Sequence, residues 1–418
     1  MFDKHKVITL VNMVVEHGAG YTEKKIGHAM PDEPGIIIKS FGCTPEALPF
    51  AQELCIYIES NSNLSKIFTS QNYNLGMLYT PVTPGSLVEW LYNRSVNSNT
   101  ESTVELLEKF ISQAFTPANQ IISVSGIEVT EKINIIDDIQ LVPINELGQG
   151  FQKHASSPKK IHGLPGHSGS YVADEKFPKC AIIKPIRLKT TIDNKEDRER
   201  ASKHSDYSIL NDICDFFFLY NNTISLPFSS WIEIEEWVPC LSNKMSGMTT
   251  TGVEISPGRN TQFRQEDWDL IRPIYEKFLQ LPTNHAMSIK VSLKRLKKAQ
   301  LRHNIVDMAI EIGVAIETIL LEENDRSELT YKIKIRSARY LEKSIEKRTE
   351  ISDLFSAIYL CRSEAVHRGT LKDSYKVKNR GKVNTKQLLQ EATKIIIQII
   401  VKIINEQKFP IWSEVELG

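Results

Sequence analysis

The stretch "IYLCRSEAVHRGT", Ile358 to Thr370, carries an arginine and a histidine five residues apart in a segment otherwise patterned as a buried helix. Ile358, Tyr359, Cys361, Ala365 and Val366 supply the inward face, and Gly369 stands where a left-handed C-terminal cap is expected. Positions five apart on a helix differ in direction by about 140°. Arg362 and His367 therefore do not stack on each other. Their joint use is easiest where the helix end meets a second surface, such as the same helix of another subunit related by a two-fold axis. Histidine is also the side chain whose ordinary titration range suits proton transfer near neutral pH. Against this stands a plain structural reading, in which the arginine is a surface ion-pair donor and the histidine a capping residue.

Outward from this stretch, nearly everything after Gln265 keeps a 3.6-residue apolar period. Six helices are expected, over Gln265–Leu281, Met287–His303, Ile305–Glu322, Leu329–Glu342, Lys347–Arg368 and Thr385–Gln407. One longer break, the basic loop "GTLKDSYKVKNRGKVNT", follows directly on Arg368. Within "LLQEATKIIIQIIVKIIN", Glu391, Lys394, Gln398, Lys402 and Asn405 form one polar stripe, which makes it a nearly buried bundle helix instead of a membrane span.

Before about residue 260 the pattern changes to short β-rich runs such as "QIISVSGIEV", "INIIDDIQLVPI" and "KCAIIKPIRL", with helices interleaved at "STVELLEKFISQAF" and "YSILNDICDFFFLYN". The N-terminal "MFDKHKVITLVNMVVEHGAG" has no signal-peptide cleavage site and reads as a first strand. The expected fold is therefore α+β. A mixed, strand-rich domain over residues 1–260 precedes an all-α bundle over residues 264–418, with the linker near 255–263.

Formal net charge is zero, but residues 261–418 hold 28 Lys and Arg against 21 Asp and Glu, leaving 23 against 30 in the first 260. The C-terminal part is thus the half suited to a polyanion. Six scattered cysteines, with no C-x-x-C pair and no Cys/His grouping at ligand spacing, read as reduced thiols of a cytoplasmic protein with no metal and no cofactor. "GLPGHSGSYVADE" (residues 163–175) brings Ser168 and Ser170 near His154, His162 and His167 but lacks nucleophile-elbow spacing, so it reads as a loop. The aromatics Phe216, Phe217, Phe218, Tyr220, Phe228, Trp231 and Trp237 read as core, with a protein-binding groove as the other reading.

The motif Tyr359-x-x-Arg362-Ser363-x-x-Val366-His367-x-Gly369 resembles the R-x4–6-H motif of the HEPN superfamily, in the form found in Apea-like HEPN domains. The helix "NIVDMAIEIGVAIETILL", with Glu317 in "AIETIL", resembles that family's acid-bearing helix. "ELTYKIKIRSARYLEK" and "KRTEISDLFSAIYLCRS" resemble the helices between, so the likeness spans about residues 302–404. The chain departs from the family in having Arg368-Gly369 where Gly-Gly is common.

The resemblance implies a HEPN-type bundle acting as a homodimer or higher homo-oligomer, and a metal-independent endoribonuclease with Arg362 and His367 as catalytic residues. Its substrate would be tRNA or other RNA, in a cell defending itself against phage by abortive infection. Residues 1–260 would sense a phage protein or restrain the nuclease. Glu317 either orients Arg362 or His367 or makes a structural ion pair in the bundle. Ser363 bonds either to substrate or to its own helix backbone. Arg368, Lys372, Lys376, Lys378, Arg380, Lys382 and Lys386, with Tyr375 among them, are candidates for phosphate contacts beside the cleft. Lys290, Lys294, Arg295, Lys297, Lys298 and Arg302 form a second basic cluster. Two other readings remain: a non-catalytic HEPN module for dimerisation or RNA binding, and a toxin neutralised by a separate antitoxin.

Overall fold

The computed structural model describes residues 2–17, 23–25, 37–39, 49–69, 71–74, 79–113, 115–147, 178–189, 206–235, 237–240, 246–250 and 260–417. Helices and strands are numbered α1–α13 and β1–β14 in chain order, and two of the strands, β6 (Ile127–Glu128) and β12 (Thr261–Gln262), form a short parallel pair. Short pairs β1/β2 (Glu23–Lys25, Ile37–Lys39) and β3/β4 (Gln71–Asn74, Tyr79–Val82) lie among the first helices. The loop at 163–175 and most of the expected linker fall outside the described residues.

The N-terminal segment expected as a strand is a helix, α1 (Lys4–His17). Its β-branched residues suggested extended chain, but Val7, Leu10, Val11 and Val14 recur at helical spacing and are the buried ones. Packing overrides propensity here. With α2 (Pro49–Ser60), α3 (Ser62–Phe68), α4 (Pro84–Asn97) and α5 (Thr100–Ser112) it encloses a first core that includes Leu54, Leu87, Leu107 and Phe110.

A six-stranded antiparallel sheet follows, in the order β11-β10-β5-β9-β8-β7. Its members are β5 (Phe115–Ser125), β7 (Ile133–Ile136), β8 (Ile139–Pro143), β9 (Cys180–Lys189), β10 (Leu226–Ile234) and β11 (Ser246–Thr250). Side chains alternate across a strand, so Ala118, Ile122 and Val124 of β5 share one face. Ala118, with Leu188 and Ile232, packs on the N-terminal helices, whereas Ile122 and Val124, with Ile182, join the core of the C-terminal helices. One sheet face thus holds two cores at its two ends.

The C-terminal part contains α7 (Gln265–Phe278), α8 (Thr283–Leu301), α9 (Ile305–Leu320), α10 (Leu329–Leu341), α11 (Ile345–Arg368), α12 (Thr385–Glu406) and α13 (Trp412–Leu417). The first six lie where periodicity placed them. It is not wholly helical: the basic loop is a hairpin of β13 (Ser374–Val377) and β14 (Gly381–Asn384). Alternating Tyr375, Val377 and Val383 bury one face of it, and Gly381, at φ 77°, takes the left-handed position that closes a three-residue turn. No described helix is long and apolar enough to cross a membrane.

The core of the helices runs on into the sheet layer. The short helix α6 (Ser208–Phe216) and the turn after it bring Phe216 and Phe217 onto α7, where Phe216 meets Tyr275 at 4.9 Å and Phe217 meets Trp268 at 5.4 Å between ring centroids. The indole N–H of Trp268 donates to the Ile135 carbonyl at 2.8 Å. Of the aromatic stripe, Phe216, Phe217, Phe218 and Trp231 are fully buried as core, whereas Tyr220, Phe228 and Trp237 are half-buried.

Candidate functional site

The motif lies on α11. Ser344 starts this helix by accepting from the Lys347 N–H at 3.3 Å, and Gly369, at φ 65°, ends it by donating to the Ala365 carbonyl at 3.2 Å. Leu354, Phe355, Ala357, Ile358, Cys361 and Ala365 face the bundle core. Val366, expected on that inward face, is exposed instead, because it falls at the border of the apolar arc.

Arg362 turns toward α9. Its Nη2 donates to Glu317 Oε2 at 3.1 Å and lies 2.9 Å from Oε1, and its guanidinium carbon lies 5.7 Å from the centre of the Tyr359 ring. The Tyr359 hydroxyl donates to Glu317 Oε1 at 3.3 Å; burial first, and the Glu317 charge second, push its phenol up. Among the described residues, Nε and Nη1 of Arg362 have no partner. One edge of the fork is held and the other is open.

The stem of Arg362 crosses α9 at Gly313. A Cβ there would collide with Arg362 Cγ and sit 3.4 Å from its Cβ and Cδ. Glu317 is one turn further along the same helix face. Gly313 was not among the expected site residues, although a lone glycine inside "IEIGVAIE" is the kind of signal that marks a close approach.

His367 is exposed on the last turn and makes no hydrogen bond or ion pair among the described residues. Ser363 is half-buried and likewise makes no hydrogen bond there, neither to its own helix backbone nor to another side chain. Thr349, Ser352, Ser356, Leu360, Ser363 and His367 recur every three or four residues along one outer face of α11, and none carries a fixed charge.

Between Arg362 and His367 in sequence, Glu364 is almost buried and takes on the hairpin. It accepts from the Tyr375 hydroxyl at 2.6 Å and from Lys372 Nζ at 3.0 Å, with Arg368 Nη1 at 3.6 Å. The Tyr375 bond, then Lys372, hold its carboxyl below the usual range. Tyr375 is therefore core and not a stacking platform. Arg380 forks onto Glu391 at 2.5 Å and 2.8 Å. Lys376, Lys378 and Lys382 are exposed and form no ion pair among the described residues.

The second basic cluster is largely consumed inside the molecule. Lys290 pairs with Asp212 at 2.5 Å, Lys297 with Asp215, and Arg295 and Arg302 with Glu311 at 2.9 Å and 3.2 Å, with Lys298 at 3.7 Å. Lys294 is exposed. The partners Asp212 and Asp215 belong to α6, so this cluster joins the sheet layer to α8. Among the described residues no group of three His, Cys, Asp or Glu side chains is arranged to hold a metal ion.

Compared with protein-family models, with curated proteins and with solved structures, the chain matches none.

Proposed function

We propose that the protein is an endoribonuclease of HEPN type, with Arg362 and His367 as its catalytic pair. The observation that carries this reading is the half-open arginine fork, held by Glu317 through Nη2 alone, on the same short helical stretch as an exposed histidine with no partner among the described residues. Such a pair suits transesterification of RNA, which brings its own nucleophile. His367 accepts the proton of the 2′-hydroxyl as the new 2′-O–P bond forms, or its counterpart in a second subunit does so. The P–O5′ bond breaks, and the leaving 5′-oxygen takes up a proton from the opposing histidine. Arg362 steadies the charge that builds on the non-bridging oxygens. The products are a 2′,3′-cyclic phosphate and a 5′-hydroxyl, and none of these steps calls for a metal ion. General acid–base help of this kind contributes ~10²–10⁴-fold.

Two copies fit this chemistry better than one, because Arg362 and His367 point about 140° apart on one helix. The outer face of α11, with hydroxyls, Leu360 and His367 but no Asp, Glu, Lys or Arg, gives a two-fold partner a surface that costs less to desolvate than one of fixed charges. The sequence resemblance supports tRNA as substrate, a HEPN-type bundle, a cytoplasmic setting and a role in abortive infection, with a phage protein acting on residues 1–260. One observation favours the other reading, a non-catalytic HEPN module: Arg362 already has a counter-ion in Glu317.

Incubation of purified protein with total tRNA in EDTA separates the two. Cuts ending in cyclic phosphate that vanish in His367→Ala and Arg362→Ala, with the oligomer intact, are expected. Cutting that persists in both variants overturns the assignment.

A further inference from the structure

We infer that the outer face of the β13–β14 hairpin binds the phosphate backbone of a single RNA strand leading away from the motif helix; this rests on the nuclease reading for its substrate, but not for its geometry. Lys376 and Lys382 are register partners directly across the antiparallel pair, and Lys378 sits at the turn beside them. All three are exposed and form no ion pair among the described residues. Like charges placed opposite each other destabilise a hairpin unless an anion lies between them. The hairpin accepts that cost on one face while burying Tyr375, Val377 and Val383 on the other.

Arg368, Lys372 and Arg380 differ in this respect, whereas Lys386, on α12 and off the hairpin, is likewise exposed with no ion pair among the described residues. Lys372 is drawn to Glu364 and Arg380 to Glu391, so they hold the hairpin in place, while Arg368 approaches Glu364 within the motif helix itself. Its tethers reach the motif helix at two points, Tyr375 to Glu364 at 2.6 Å and Asn379 to Asp353 at 3.0 Å. The three lysines are thus fixed relative to Arg362 and His367. On this inference, a strand with a phosphate at the His367 end of the motif helix carries its neighbouring phosphates onto the lysine face. A backbone of closely spaced negative charges matches a cross-strand lysine pair better than scattered carboxylates do.

The test uses a fluorescent, fully 2′-O-methylated RNA strand, which cannot be cut, titrated with the full chain at several salt concentrations. Lys376→Gln with Lys382→Gln is expected to weaken binding and to reduce the magnitude of the log Kd against log salt slope by about 1.4, about 0.7 per phosphate contact on a single strand. Removing two charges from the N-terminal helix instead, by Lys4→Gln with Lys6→Gln, is expected to leave the slope unchanged. The inference is overturned if wild type does not bind, if the hairpin double variant binds like wild type, if the distant pair has the same effect, or if poly-glutamate competes as well as RNA. A wild type that binds with this pattern yet never cuts unmodified RNA removes the nuclease reading and leaves the hairpin assignment standing.

Discussion

The stem of Arg362 lies across Gly313, with no room for a Cβ between the two helices. Glycine inside a helix normally costs about 1 kcal/mol relative to alanine. At this position the sign reverses, since Gly313→Ala forces the arginine aside and overpacking costs ~1–3 kcal/mol. In an Arg362→Ala background the obstruction is gone and Gly313→Ala is expected to stabilise. Urea denaturation of the four proteins in this cycle measures the coupling. Equal effects of Gly313→Ala in both backgrounds would remove the contact from the account. Cleavage by the single Gly313→Ala variant is expected to fall, with the loss in kcat more than in KM.

Lys297 and Asp215 form a buried pair between α8 and α6, and Lys297 also donates to the Ser225 carbonyl at 3.2 Å. Removing one partner strands the other in a dry site, so Lys297→Ala is expected to cost ~3–5 kcal/mol. Lys297→Met with Asp215→Leu replaces both charges and is expected to cost less than either single change. Thermal unfolding followed by circular dichroism reads this; a double variant worse than the sum of the singles would count against the pairing.

At the C-terminal end, Arg336 is 2% exposed and holds Asp325 at 2.6 Å, Glu416 at 2.6 Å and the Leu320 carbonyl at 2.7 Å. Burial by itself would push the Asp325 carboxyl up. Hydrogen bonds from Arg336, the Glu322 N–H and Lys332 outweigh it and hold the group well below the usual range. The folded value lies below the unfolded one, so this contribution to stability is present above the ordinary carboxylate range and is lost as pH falls below it. Urea midpoints between pH 7 and pH 3 are expected to drop less steeply in Asp325→Asn than in wild type. The same variant is expected to be less stable at pH 7, because Arg336 loses a partner.

Cys214 and Cys361 are buried, and burial pushes each thiol up to about 12. Only the thiolate reacts, so neither is expected to be alkylated by iodoacetamide at pH 8 until the protein unfolds. Mass mapping of alkylated peptides from native and urea-unfolded protein reads this directly. Rapid native labelling of Cys361 would mean that the motif helix leaves its seat on the bundle.

The first six of the seven C-terminal helices, and the cap at Gly369, were legible because apolar period and capping chemistry reside in contiguous residues, whereas the six-residue α13 is too short to show a period. The same logic misled at α1, where a run of Val, Ile and Thr suggested a strand although its buried positions keep helical spacing. The hairpin was legible only as a basic break, since its strands are four residues each and its closing glycine looks like any loop glycine.

By itself the sequence determined which residues are available at the motif: Arg362, Ser363 and His367 near one helix end, with a basic segment after it. The tertiary structure alone decided which charges are spent and which are open. Glu317 and Gly313 meet Arg362 only because α9 and α11 approach closely at that level, 45 and 49 residues apart in sequence. Glu364 draws in Lys372 and Glu391 draws in Arg380, whereas Lys376, Lys378 and Lys382 meet no carboxylate among the described residues, a distinction set by how the hairpin seats on the bundle. Charge pairing between elements depends on distances of a few ångströms across packed helices, and composition and period carry no record of those distances.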